Sequence, residues 1–168
     1  MKDRQDEIVF ADHVISVRRV TKVTKGGKRF AFSAFVVTGN KQGKVGFGLG
    51  KGREVAQAIT KATNHARKRL VTIDLRDGTI SYDVRGQHGS SFVILRPASK
   101  GTGNIAGGSV RSVLDAVGVE DALTKSLGAS NGINTVKATF NALAKLRSAE
   151  KIAKMRGMTS VKELVKGL

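Results

Sequence analysis

The strongest constraint on this chain is a change of apolar period within its first half. Residues 14–24 are rich in β-branched side chains, and residues 29–38 alternate so that Phe30, Phe32, Ala34 and Val36 share one face. Residues 44–49 read as a third strand. Two breaks separate the runs, Lys25-Gly26-Gly27-Lys28 and Gly39-Asn40-Lys41-Gln42-Gly43, and glycine admits the positive φ that tight turns need. The period then lengthens. Val55, Ile59, Ala62, Ala66 and Leu70 recur every three or four residues, which predicts an amphipathic helix over 53–70. Its other face carries Arg53, Lys61, Arg67, Lys68 and Arg69. An antiparallel meander followed by one helix predicts a two-layer unit with a half-buried sheet.

The second half repeats the logic with different spacing. Residues 75–78, Leu-Arg-Asp-Gly, mark the boundary. Strands are expected over 80–85 and 91–96, the second ended by Pro97, the only proline in the chain. A glycine-rich stretch over 99–108 leads into a helix near 109–117. Residues 119–126 suit either strand or helix, and 128–134 read as a loop. Val136, Phe140, Leu143 and Leu146 then define another helix. The expected fold is α+β, with two small two-layer domains over 14–76 and 77–147. A flexible tail over 1–13 and a basic tail over 148–168 flank them. The latter has short helical pieces, and Ser160 with Glu163 fits a capping box.

Charge narrows the function. The 168 residues hold 30 Lys and Arg against 13 Asp and Glu, a net charge of +17. Residues 1–76 hold 17 of the basic and 6 of the acidic side chains, so the first half is the stronger surface for a polyanion. There is no cysteine, which excludes a disulfide framework and thiolate chemistry. His13, His65 and His88 lie far apart and have no metal-ligand spacing. No apolar run approaches the roughly 20 residues of a membrane span, and the opening MKDRQDE has no signal-type apolar stretch. A soluble intracellular protein without cofactor, metal or membrane contact is the expectation.

Four segments are candidate sites. The basic hairpin Arg18, Arg19, Lys22, Lys25, Lys28 and Arg29 could reach phosphates, or could be an edge protected by cations. Seven like charges with none opposing between Val14 and Lys41 favour phosphate contact. With Gly26 and Gly27 at its tip, and Lys44, Lys51 and Arg53 beyond it, this hairpin is expected to supply the first-domain contacts to a polyanion such as RNA. The second segment, Gly46-Phe47-Gly48-Leu49-Gly50-Lys51-Gly52-Arg53, suits either a phosphate cradle at a helix start or a tight strand-to-helix turn. The third, Arg67-Lys68-Arg69, suits RNA or the helix dipole equally. The fourth runs from Arg96 through the loop between Gly101 and Gly108. It suits packing against another macromolecule or, as the alternative function, the nucleotide site of a small-molecule kinase-like enzyme. Phe30, Phe32, Phe35 and Phe47 could stack bases, but their place on alternating strands favours core packing.

The text VTKVTKGGKRFAFSAFVVTGNKQGKVGFGLGKGREVAQAI, then LRPASKGTGNIAGGSVRSVLDAVGVEDALTKSLGASN, then INTVKATFNAL resembles the bacterial small-subunit ribosomal protein five family over nearly the whole chain. VGFG-x-GK-x-REV paired with RPAS-x-GTG-x-IAGG is highly specific. The resemblance implies a first domain similar to double-stranded-RNA-binding domains. It implies a second, β-rich α/β domain with a left-handed crossover, shared with some small-molecule kinases, which accounts for the nucleotide-like loop without carrying their function across. It implies a cytoplasmic, non-enzymatic constituent of the small ribosomal subunit. Such a protein binds ribosomal RNA near the neck and the channel by which messenger RNA enters, abuts ribosomal proteins four and eight, and supports assembly and accuracy. Gly103 and Arg111 match positions at the interface with protein four that set decoding fidelity. Thr21, Lys22, Val23, Thr24, Lys25, Gly26, Gly27 and Lys28 match the loop beside the spectinomycin site. Gly132 stands where the family usually has proline, and Asn104 where it usually has an apolar residue.

Overall fold

A computed structural model describes residues 10–158. The first sheet has the order β1 (Ala11–Thr24), β2 (Gly27–Gly39), β3 (Lys44–Gly52) and β4 (Val71–Thr72), all antiparallel, with α1 (Val55–Arg67) between β3 and β4. The second contains β5 (Val84–His88), β6 (Ser91–Pro97), β7 (Asn104–Ile105) and β8 (Ala122–Gly128) in the order β5-β6-β8-β7. Its helices are α2 (Gly108–Val117) and α3 (Gly132–Leu143), and α4 (Ala149–Met155) follows. β7 and β8 are parallel, so α2 is the crossover between them. The α+β reading stands.

Several boundaries move, each for a physical reason. β1 starts at Ala11, so residues 11–13 are strand rather than tail; they pair with residues 37–39. The strand expected over 80–85 occupies Val84–His88 instead, and Ile80 is buried without belonging to a strand. Of the ambiguous stretch over 119–126, residues 122–126 lie in strand β8, which runs on to Gly128, and the expected loop over 128–134 already contains the first turn of α3. There Asn131 caps the helix, its side-chain oxygen accepting from the N–H of Ile133 at 3.0 Å. The paired Ser160 and Glu163 lie outside the described residues.

The strand expected over 44–49 runs on through Gly52, so the glycine segment over 46–52 is not a strand-to-helix turn. It is strand β3, and its glycines face α1. A Cβ built on Gly46, Gly48 or Gly50 would fall on the carbonyl oxygen of Ala66, Ala62 or Ala58 respectively. Strand and helix backbones therefore touch, and Ala58, Ala62 and Ala66, one helical turn apart, are fully buried. This contact also turns the helix. Alanine fits against a glycine strand where a larger side chain does not, so Val55 from the expected stripe is 38% exposed and Ile59 only half-buried. β5 uses the same device: a Cβ on Gly86 would fall on the carbonyl of Ala138 in α3.

The first sheet is covered on both faces, not one. Ala34 and Val36 pack toward α1 with Ala58 and Ala62. Phe35, Val37 and Val45 belong to the main core with Val110, Val113 and Leu114 of α2 and Phe140 and Leu143 of α3. Phe47 bridges them, its ring centroid 5.9 Å from that of Phe35 and 4.8 Å, edge-on, from that of Phe140. The turn between β2 and β3 locks the halves together. Lys41 N–H donates to Ala116 O at 3.0 Å and Gly43 N–H to Val117 O at 2.8 Å, satisfying acceptors that the end of α2 would otherwise leave open. Lys41 adopts φ +55° to do so, and Asn40 Oδ1 braces the turn by accepting from Gln42 and Lys44 N–H, both at 2.9 Å.

Candidate nucleic-acid interface

β3 pairs with β2 only as far as Phe32, opposite Gly52. Beyond that point residues 20–31 continue as a two-stranded ribbon with no third strand. Strand alternation sorts its charges onto two faces. Arg18, Lys22 and Arg29 stand on the face that β2 shares with Phe35. Arg19 and Lys28 stand on the α1 face, with the Arg19 guanidinium 4.6 Å over the ring of Phe30. Lys22 and Arg29 are direct cross-strand partners. Like charges so placed repel, and none of the ion pairs among the described residues relieves them. Four residues inward from that pair, Arg18, Ser33 and Lys51 are consecutive neighbours across β1, β2 and β3.

Apolar side chains at the ribbon end are also uncovered: Val23 is 71% and Phe30 51% exposed. Of the four phenylalanines, Phe35 is core, Phe32 and Phe47 are half-buried, and only Phe30 is in the open. The ribbon tip is Lys25-Gly26, and of its two glycines only Gly27 has a left-handed φ, +126°. Thr24 Oγ1 donates to Gly27 O at 3.0 Å and closes the turn. Lys44 lies at the far end of β3, next to β4, away from the ribbon. Arg53 is exposed in the link to α1.

The basic triplet at the end of α1 divides. Arg67 is engaged within the fold: its Nη2 lies 3.0 Å from Asp12 Oδ2, and the guanidinium sits 5.3 Å from the centre of the Phe10 ring. Asp12 in turn accepts from Thr38 Oγ1 at 2.7 Å. Lys68 and Arg69 are exposed. No sequence pattern links Asp12 to Arg67, because the contact depends on β1 crossing the end of a helix 55 positions away.

The glycine loop of the second domain has its own anion. Gly103, at φ +76°, donates its N–H to Asp121 Oδ1 at 2.7 Å, and Asp121 is buried. A carboxylate thus holds a donor that a phosphate-binding nest would need free. Asn104 Nδ2 donates to Asp115 Oδ1 at 2.9 Å and to Val119 O at 2.6 Å, tying the loop to α2 and its C-terminal turn. Asn104 therefore has a structural task in this loop. Gly101 and Gly103 have open space around an added Cβ, and Arg111 is exposed on α2 without an ion pair among the described residues. No helix among the described residues is long and apolar enough to cross a membrane.

A strongly basic chain, with a charge-bearing ribbon that extends past its sheet and a closed rather than phosphate-ready glycine loop, has the features of the class of proteins that lie against a polyanion. Comparison with known families identifies which. Residues 10–74 match the model of ribosomal protein S5, N-terminal domain, and residues 86–156 that of ribosomal protein S5, C-terminal domain. The chain is 50% identical over 153 residues to small ribosomal subunit protein uS5 of Lawsonia intracellularis, covering 91% of this chain and 94% of that protein. It is 52% identical over 156 residues to that of Flavobacterium psychrophilum, covering 93% and 89%. With that of Treponema pallidum (strain Nichols) it shares 46% identity over 160 residues, covering 95% and 93%. The chain belongs to the ribosomal protein S5 family, and so is a non-enzymatic structural constituent of the small ribosomal subunit, with ribosomal RNA among its partners. The kinase-like alternative finds no support in these comparisons.

Proposed function

We propose that the protein holds small-subunit ribosomal RNA chiefly through its ribbon, with Arg18, Arg19, Lys22, Lys25, Lys28, Arg29 and Lys51 on phosphates and the backbone of Gly26 and Gly27 at the tip. Lys44 and Arg53 extend the contact at either end of β3. The observation that carries this reading is the unrelieved Lys22–Arg29 pair: it destabilises the free ribbon and stops doing so once a phosphate lies between the charges. Affinity then comes from phosphates and shape, since A-form grooves hide most base identity. The first domain acts from residue 11, where β1 begins, to 76, and the second over 77–147.

The family resemblance extends the proposal to place and partners. The RNA lies near the neck and the channel by which messenger RNA enters, with messenger RNA as a further contact there. Ribosomal proteins four and eight are the neighbours. The loop of Gly103 and the exposed Arg111 meet protein four and affect decoding accuracy. The tip from Thr21 to Lys28 lies beside the spectinomycin site.

Salt dependence tests the ribbon. Each neutralised phosphate adds about 0.7–0.9 to the log–log slope of affinity against salt. Replacing Lys22, Lys25 and Lys28 by alanine should therefore flatten the slope for small-subunit RNA by about two to three. An unchanged slope removes the ribbon from the phosphate contacts.

A further inference from the structure

Where the free edge of β3 and the end of α1 meet α3 lies a groove of about 440 Å³. Its apolar walls are Phe47, the half-exposed Leu49, and Ile133 of α3. Every ionisable side chain lining it is basic: His65, Lys68 and Arg69 at the end of α1, and Lys137 of α3. One wall is strand edge. β4 pairs with β3 only at Lys44 and Val45, so β3 has no strand neighbour on that side from Gly46 onward. His65 Nδ1 sits 3.0 Å from Leu49 O at that edge.

Phe47 and Leu49 stand on the same face of the first sheet as the ribbon cations Lys22 and Arg29. Leu49 pairs with Phe35, and two positions further along β2 is Ser33, flanked by Arg18 and Lys51. Beyond them on the same face stand Lys22 and Arg29. A polyanion lying along that face is led directly to the groove. An occupant that matches an apolar slot ringed only by cations carries negative charge and a flat apolar part together. A nucleotide has both, and a base that has left its stack has an exposed π-face to bury.

Resting on the reading of the ribbon as an RNA contact, we propose that this groove receives one unpaired nucleotide of the same RNA. Its base lies against Phe47, Leu49 and Ile133, and the flanking phosphates lie on Lys68, Arg69 and Lys137. The ribbon follows backbone; the groove selects for a place where the RNA is single-stranded.

Methyl and amide NMR on the full chain separates the two contacts. The probes are a single-stranded RNA hexamer of uridines with one central adenine, and a 12-base-pair duplex. The hexamer should shift the Leu49 and Ile133 methyl resonances upfield through the adenine ring current, and the duplex should leave them in place while both move amides of the ribbon. Lys68→Ala with Lys137→Ala should weaken hexamer binding about 25-fold at 0.1 M salt, two phosphates at about 0.7 each in log–log slope, with duplex binding retained. Methyls that stay unmoved while ribbon amides respond to the hexamer overturn the proposal. So does an equal methyl response to a glutamate-rich peptide, which would assign the groove to a protein. Ribbon amides unmoved by either RNA would instead refute the reading of the ribbon.

Discussion

Adding one methyl group at Gly48 tests the contact that sets the first domain. The new Cβ would land on Ala62 O and lie 2.7 Å from Ala66 N. Both are backbone atoms held in α1, so no side-chain rotation relieves the clash. The helix must lift from the sheet. Overpacking of this kind costs about 1–3 kcal/mol, toward the upper end when backbone must move. Reduced freedom of the unfolded chain returns about 0.4–1 kcal/mol. The net for Gly48→Ala is a loss of about 2 kcal/mol, or roughly 4–8 °C in Tm for a chain of this length. Gly108→Ala is the control: it opens α2 and has nothing within 4 Å of an added Cβ, so it should be neutral or stabilise by up to about 1 kcal/mol. Urea unfolding followed by circular dichroism measures both. Folded Gly48→Ala should keep the salt slope for duplex RNA, which the ribbon alone holds, because the glycines serve packing. Wild-type stability combined with a flattened slope would refute the argument and return these glycines to phosphate binding.

Two further outcomes follow from the junction and the loop. Gly118 ends α2 at φ +96°, and a Cβ there would fall on Lys41 O, so Gly118→Ala should destabilise by more than about 2 kcal/mol, read in the same urea titration, and raise amide exchange at Lys41 and Gly43. Gly103→Arg meets open space and only backbone strain at φ +76°, about 1–2 kcal/mol, so the protein should fold and bind RNA normally. A stop-codon readthrough assay on it and on Arg111→Leu should report increased misreading; unchanged readthrough would remove this loop from the fidelity contacts.

How much of this was legible in the sequence depended on whether side chains carried the signal. The three strands and α1 were readable because Phe30, Phe32, Ala34 and Val36 alternate and the next apolar set does not. The ribbon cations were readable as a run of like charge. The third strand was readable only as far as Leu49, and its continuation through Gly50-Lys51-Gly52 was not, because glycine has no side chain to declare a face and only a facing helix explains its presence. Periodicity places Val55 in the α1 stripe because it weights large side chains, whereas close backbone approach selects alanine. Covering of both sheet faces had a signal that the alternation hid: Ala34-Phe35-Val36-Val37 is a continuous apolar run, the pattern of a strand buried on both sides. The groove had none, since Leu49, Lys68 and Lys137 meet only through the packing of α3 on the first sheet.

The central claim, that this chain is a structural part of the small subunit held by RNA, is tested most directly by sedimentation. The chain expressed with an affinity tag in bacterial cells should travel in a sucrose gradient with the small subunit, near one copy per subunit, at an ionic strength where subunits remain intact. A chain found wholly at the top of that gradient, beside subunits that carry none of it, would contradict the account.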